Sequence, residues 1–215
     1  MDAAIETVLA EFHERAEREA ALMKELSSEE FDRRLDEFLL PVGPDTGRFL
    51  NLLIKASGAR GILEIGTSHG YSTIWLAEAA RETGGLVISL DVHAGKHEHA
   101  RQVLERAGLS EQVEFVLGDA LETLRDLPGP FDFVLLDLWK SLYTPCFELF
   151  HPKLNKGALI AADNVIHPAD TQGLVKAYQA RVRAAPGMES LTVPIGNGIE
   201  LSRATAWLMR RGRRG

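Results

Sequence analysis

Apolar residues along this chain follow two rhythms. Between Asp2 and Leu26, Ile5, Leu9, Phe12, Ala16, Ala20 and Met23 recur every third or fourth position, the stripe of an amphipathic helix. Ser27 and Glu30 have the spacing of a capping box, which opens a second helix carrying Phe31, Leu35 and Phe38. Pro41 and Pro44 break that pattern, and Phe49, Leu50, Leu53 and Ile54 form another stripe that Gly58 can end with a left-handed cap. Thereafter short, nearly continuous apolar runs alternate with amphipathic segments. This predicts strands at 61–65, 86–90, 113–117, 131–136 and 157–162, and helices near 71–82, 96–107, 119–126, 142–150 and 170–184. Strands of this kind, separated by helices, predict a mostly parallel sheet covered on both faces. Strands near 189–194 and 199–208 flank Gly196-Asn197-Gly198, so the sheet is expected to finish in an antiparallel hairpin.

The chain has 215 residues, 45% of them hydrophobic, enough for one substantial core. Residues 1–40 read as N-terminal helices serving as a lid or a homodimer contact, and 41–215 as the main domain. No apolar run is long enough to cross a membrane, and Glu6, Glu11, Glu14 and Glu17 interrupt the start where a leader would be apolar. A cytoplasmic protein with no membrane partner is expected. The single cysteine, Cys146, leaves no internal disulfide and no cysteine metal cage. The net charge of −7 argues against a nucleic-acid partner, and the tail Arg210-Arg211-Gly212-Arg213-Arg214 reads as a solvated end.

The candidate chemistry sits where strands stop. Phe131 to Leu136 ends at Asp137-Leu138-Trp139-Lys140, and Ala158 to Ala162 ends at Asp163-Asn164. Three oxygen donors, Asp137, Asp163 and Asn164, and the amine of Lys140 therefore come to one edge of the sheet, a metal site beside a base. Ahead of them Glu64-Ile65-Gly66-Thr67-Ser68-His69-Gly70-Tyr71-Ser72 is a strand end, a glycine loop and a helix start. Glycines let the backbone approach a ligand, and helix-start amides can bind an anionic group. The spacing is GxxxG rather than the GxGxxG of a dinucleotide fold. Glu64 suits a positively charged ligand such as the amino-acid end of S-adenosylmethionine. Asp91, ending the next strand, suits ribose hydroxyls, and Gly118-Asp119-Ala120, ending the third, suits an adenine.

These residues resemble the small cation-dependent O-methyltransferases of the catechol and caffeoyl-CoA type, which use S-adenosylmethionine. The resemblance runs from residue 40 to 208 and is carried by Pro41-Val42-Gly43, Glu64-Ile65-Gly66, Gly70-Tyr71-Ser72, Leu136-Asp137-Leu138-Trp139-Lys140, Ala162-Asp163-Asn164-Val165 and Gly198-Ile199-Glu200. It implies an α/β, Rossmann-like class I methyltransferase fold with a seven-stranded sheet. It also implies that Asp137, Asp163 and Asn164 bind a divalent cation, magnesium above all, with calcium or manganese as substitutes. Lys140 matches the family's catalytic lysine. Val42, Glu64, Gly66 and Ser72 fall where the family holds the methionine end, with Ser68 and Gly70 in the same loop. Asp91, Asp119, Ala120, Asp137 and Trp139 complete the expected cofactor set, and Trp139 favours the catechol branch. Lys140, Asn164 and Glu200 are the residues expected to meet an acceptor, an aromatic vicinal diol. The residues flanking Leu40-Pro41-Val42-Gly43 lack the aromatic gate of the catechol enzymes.

Other readings stay open at this point. The acceptor could instead be a hydroxyuridine in tRNA; the chain could be a nicotinamide-dependent oxidoreductase, or a cofactor-binding protein without catalysis. His93, His97 and His99 read as the solvated face of a charged helix rather than a zinc cluster, His69 as a glycine-loop residue for which ligand contact is the minority reading, and Trp75 and Trp207 as packing.

Overall fold

The computed structural model describes residues 1–206, so Trp207 and the arginine tail lie outside the described residues. Eight helices and seven strands alternate much as the apolar rhythm predicts among these residues. Helices α1 (Ala3–Met23), α2 (Ser28–Arg34) and α3 (Pro44–Ser57) precede β1 (Gly61–Ile65). Then follow α4 (Tyr71–Thr83), β2 (Leu86–Asp91), α5 (Ala94–Arg106), β3 (Val113–Leu117), α6 (Ala120–Asp126) and β4 (Phe131–Leu136). The chain continues through α7 (Tyr143–Phe150), β5 (Leu154–Ala162), α8 (Gln172–Ala184), β6 (Met188–Val193) and β7 (Ile199–Ala204).

The sheet order is β3-β2-β1-β4-β5-β7-β6. The first five strands of that order run parallel, and β7 pairs antiparallel with both β5 and β6. Alternate residues of each strand supply two separate cores. Ile62, Val87, Phe133 and Leu135 pack beneath α1, α3, α4 and α5; Leu63, Leu90, Val134 and Ile160 pack beneath α6, α7 and α8. Polar side chains are thus pushed to strand ends, where backbone hydrogen bonding runs out. Strand β1 turns inward between β2 and β4, so the order reverses there and opens a crevice beyond the carboxyl ends of the strands.

Local chemistry fixes the entry elements. Ser27 and Glu30 bond reciprocally as a capping box at α2, and Gly58 caps α3 with φ 64°. α1 buries Ile5, Val8, Leu9 and Phe12 against the sheet's first core, so it is part of the packed body. The turn Leu35–Glu37 and the segment to Val42 then lie over the crevice. Strand β5 begins three residues earlier than its apolar run suggests, because Gly157 at φ 90° interrupts the pattern inside it. Among the described residues no helix is long and apolar enough to cross a membrane.

Candidate active site

The crevice is a cavity of about 470 Å³ at the carboxyl ends of β1, β2, β4 and β5. Its first wall is the glycine loop. Gly66 at φ 109° hydrogen-bonds through its N–H to Leu90 and passes so close to Asp137 that an added Cβ would fall 1.9 Å from that residue's carbonyl oxygen. Ser68 donates its N–H to the Asp91 carboxylate at 2.8 Å, and His93 N–H meets the other oxygen at 2.9 Å. A carboxylate has about four acceptor positions, so Asp91 keeps two for hydroxyls in the cavity. Asp119 caps α6 through the N–H groups of Leu121 and Glu122, and Ala120 lines the wall beside it. Trp139, 63% exposed, lines the cavity as well.

Glu64 is fully buried one layer behind the lining residue Ser72. Its carboxylate accepts hydroxyls from Ser72 and Thr73 at 2.6 Å and from Ser89 at 2.5 Å. Burial pushes its pKa up to about 7, against which the three hydroxyls pull downward.

The second wall carries the acids and the amine. Asp137 follows β4 and Asp163 follows β5, adjacent strands in register at Leu136 and Ala162, so the two carboxylates are neighbours by construction. Burial holds both pKa values above the usual carboxylate range, and each charge raises the cost of ionising the other. Asp163 Oδ1 is buried with no hydrogen-bond donor, a costly state unless something positive meets it. Asn164 sits at φ 56°, a conformation asparagine tolerates, with Nδ2 3.5 Å from Asp137 Oδ1. Rotating that amide presents its oxygen instead, giving two carboxylates and one amide oxygen, a hard donor set that fits magnesium or calcium. Among the described residues no three His, Cys, Asp or Glu side chains are placed to hold a metal ion, so such a site depends on Asn164.

Lys140 Nζ lies 3.9 Å from Asp137 Oδ1 and donates to the Tyr143 hydroxyl at 2.6 Å. Tyr143 in turn donates to the Asp163 carbonyl at 2.9 Å, tying the lysine to the loop that carries the acid. Burial lowers the lysine's pKa, while Asp137 and Asp163 oppose that shift.

A model of the O-methyltransferase family matches residues 13–205 of this chain. The chain belongs to that family. It is 40% identical over 131 residues to a catechol O-methyltransferase of Niastella koreensis, a stretch covering 59% of each. It is 43% identical over 128 residues to one from Mycobacterium tuberculosis, covering 59% of this chain and 58% of the relative. The match therefore spans somewhat less than three fifths of the length of these two relatives. A caffeoyl-CoA O-methyltransferase of Populus trichocarpa is 30% identical over 207 residues, covering 86% of this chain and 83% of the relative. Among solved structures, an O-methyltransferase of Bacillus cereus in complex with SAH is similar with a TM-score of 0.74 and 28% identity, covering 95% of this chain and 91% of that one. One from Streptomyces achromogenes involved in tomaymycin synthesis, in complex with SAM, gives 0.74 and 27%, covering 96% and 91%.

Within this O-methyltransferase family member, the cavity gathers Val42, Gly66, Ser68, Ser72 and Asp91 on one side and Asp137, Trp139, Lys140 and Asn164 on the other. Four expected residues do not line it: Glu64 and Asp163 lie buried behind its wall, and Glu200 and Gly70 stand elsewhere. Glu200 is fully buried in β7 facing α8, and its carboxylate is surrounded by donors from Gln179, Arg183, Ser190 and Thr192. It holds the hairpin to the helix and does not line the cavity. Gly70 lies behind the cavity wall, where an added Cβ would be 2.9 Å from Ala100, so it serves the contact of α4 with α5. His97 is buried rather than solvated, with Nε2 3.2 Å from the Thr67 hydroxyl. No sequence motif marks Tyr143, the partner of Lys140. Nor does one mark Asp36 of the segment over the crevice or Thr171 and Leu174 of the α8 region, three residues that line the cavity.

Proposed function

We propose that this protein transfers a methyl group from S-adenosylmethionine to a hydroxyl of an aromatic vicinal diol, with a divalent cation held by Asp137, Asp163 and Asn164. The observation that supports it most is the unpartnered, buried Asp163 Oδ1 beside Asp137 and Asn164, within one hydrogen-bond relay of Lys140. When bound, the cation would orient both diol oxygens and acidify one of them, whose free pKa is near 10 by analogy with tyrosine.

The chain's own side chains do the remaining work. Asp91 accepts the ribose hydroxyls on its two spare positions, and Gly66, where any side chain would collide with the Asp137 carbonyl, keeps the ends of β1 and β4 close together beneath the cofactor. Lys140, its pKa lowered by burial, takes the proton from the acceptor hydroxyl. Arginine at that position would not release a proton, so lysine suits the task. Leu40, Trp139 and Leu174 are large, exposed apolar residues on the cavity wall and give an aromatic ring its surface while keeping water from the sulfonium.

Incubation with methyl-labelled S-adenosylmethionine and paired acceptors, a catechol and the corresponding mono-phenol, tests the reading. Label is expected only on the diol, and EDTA is expected to stop transfer. Label on tRNA but not on the catechol would overturn the acceptor assignment.

A further inference from the structure

Behind the glycine loop a line of hydrogen bonds runs away from the cavity. Ser89 Oγ donates to Glu64 Oε2 at 2.5 Å, Ser89 and Thr67 hydroxyl oxygens are 2.5 Å apart, and Thr67 Oγ1 lies 3.2 Å from His97 Nε2. Every member is at least nine-tenths buried, so few waters compete for these bonds. Each hydroxyl has a single proton. If Ser89 gives its proton to an ionised Glu64, Thr67 must give its own to Ser89, and His97 must donate from Nε2. If Glu64 is protonated and donates, every bond reverses and His97 Nε2 becomes the acceptor, with the ring proton on Nδ1. The ionisation of Glu64 and the tautomer of His97 are therefore two ends of one chain.

We propose that Ser89, Thr67 and His97 are positioning residues that carry the proton leaving Glu64 when a cationic ligand group enters the cavity in front of Ser72. The inference rests on the reading that the cavity takes S-adenosylmethionine, whose ammonium favours an ionised Glu64. The proton balance is one for one. Glu64 passes its proton to Ser89, Ser89 to Thr67 and Thr67 to His97 Nε2; the imidazolium then loses its Nδ1 proton to water. One proton reaches solvent, and the ring ends as the Nε2–H tautomer. The charges acting on the ends are Asp137 on Glu64 and Asp91 and Arg101 on His97, while the Phe115 ring closes the far side at 5.4 Å.

Histidine nitrogen NMR on the full chain, with the His97 signal assigned by its loss in His97→Gln, reads this directly. At about pH 6 the free protein is expected to show Nδ1–H at His97, and saturating S-adenosylhomocysteine, or a rise to about pH 8, is expected to convert it to Nε2–H. Thr67→Val is expected to hold one tautomer at both pH values, and Thr67→Ser to restore the change. The inference is overturned if S-adenosylhomocysteine binds by calorimetry while His97 keeps its tautomer, or if the change survives in Thr67→Val. Absence of any binding heat would instead remove the cofactor reading, and the pH comparison would still decide the relay.

Discussion

Lys140 gives a proton of its amine to the Tyr143 hydroxyl, 2.6 Å away, and Tyr143 spends its own proton on the Asp163 carbonyl. The tyrosine therefore acts only as an acceptor toward the amine. A neutral Lys140 with its N–H groups directed to Tyr143 and, at 3.4 Å, to the Leu138 carbonyl leaves its lone pair free for a proton from elsewhere.

Lys140→Ala is expected to slow methyl transfer by about two to four orders of magnitude, the usual scale of general-base loss. Cofactor affinity should stay nearly unchanged because the amine acts on the acceptor. Steady-state kinetics set beside calorimetric titration with S-adenosylhomocysteine check both halves, and lost cofactor binding would contradict the role.

Tyr143→Phe keeps the ring and removes both hydrogen bonds, leaving the buried Asp163 carbonyl short of a donor. A stability loss of about 1–3 kcal/mol is expected, together with a fall in kcat larger than any change in KM for the cofactor. Thermal unfolding and initial rates on the same preparation measure the two effects.

Burial pushes the Glu64 carboxyl up to about 7 in the folded chain from a reference of 4.5. The raised value means the folded state holds a proton that the unfolded state has released. Its contribution is thus most favourable below about 4.5 and is lost as pH rises toward about 7, on the order of 3 kcal/mol in all. Glu64→Gln should flatten that decline. Denaturant melts of cofactor-free protein across this window show it, and an unchanged slope would count against the shift.

Glu200→Ala is expected to destabilise the protein by about 2 kcal/mol, because Gln179, Arg183, Ser190 and Thr192 lose the buried acceptor they share. Turnover per folded molecule and acceptor preference should be preserved. A selective rise in acceptor KM would return Glu200 to the site.

Much of this arrangement was legible because apolar runs stop abruptly. Strands β1, β2, β4 and β5 end at Ile65, Asp91, Leu136 and Ala162, and the polar residues at or just beyond those ends meet at one crevice. Glu200 was misplaced because spacing from a hairpin turn does not say which face a strand residue takes. Register with Ala162 and Thr192 puts it under α8. His97 could have been placed correctly. Together with Ala100 and Leu104 it shares the buried stripe of α5, and the surrounding charges obscured that spacing. Tyr143 carried no sequence cue of its own, since its partner is a backbone carbonyl twenty residues away.

Manganese titration followed by electron paramagnetic resonance, on the wild-type chain and on Asp163→Ala, bears most directly on the oxygen cluster. Wild-type protein saturated with S-adenosylhomocysteine is expected to bind a single ion, and the variant to lose it. Equal binding by both proteins, or none by either, would contradict the account.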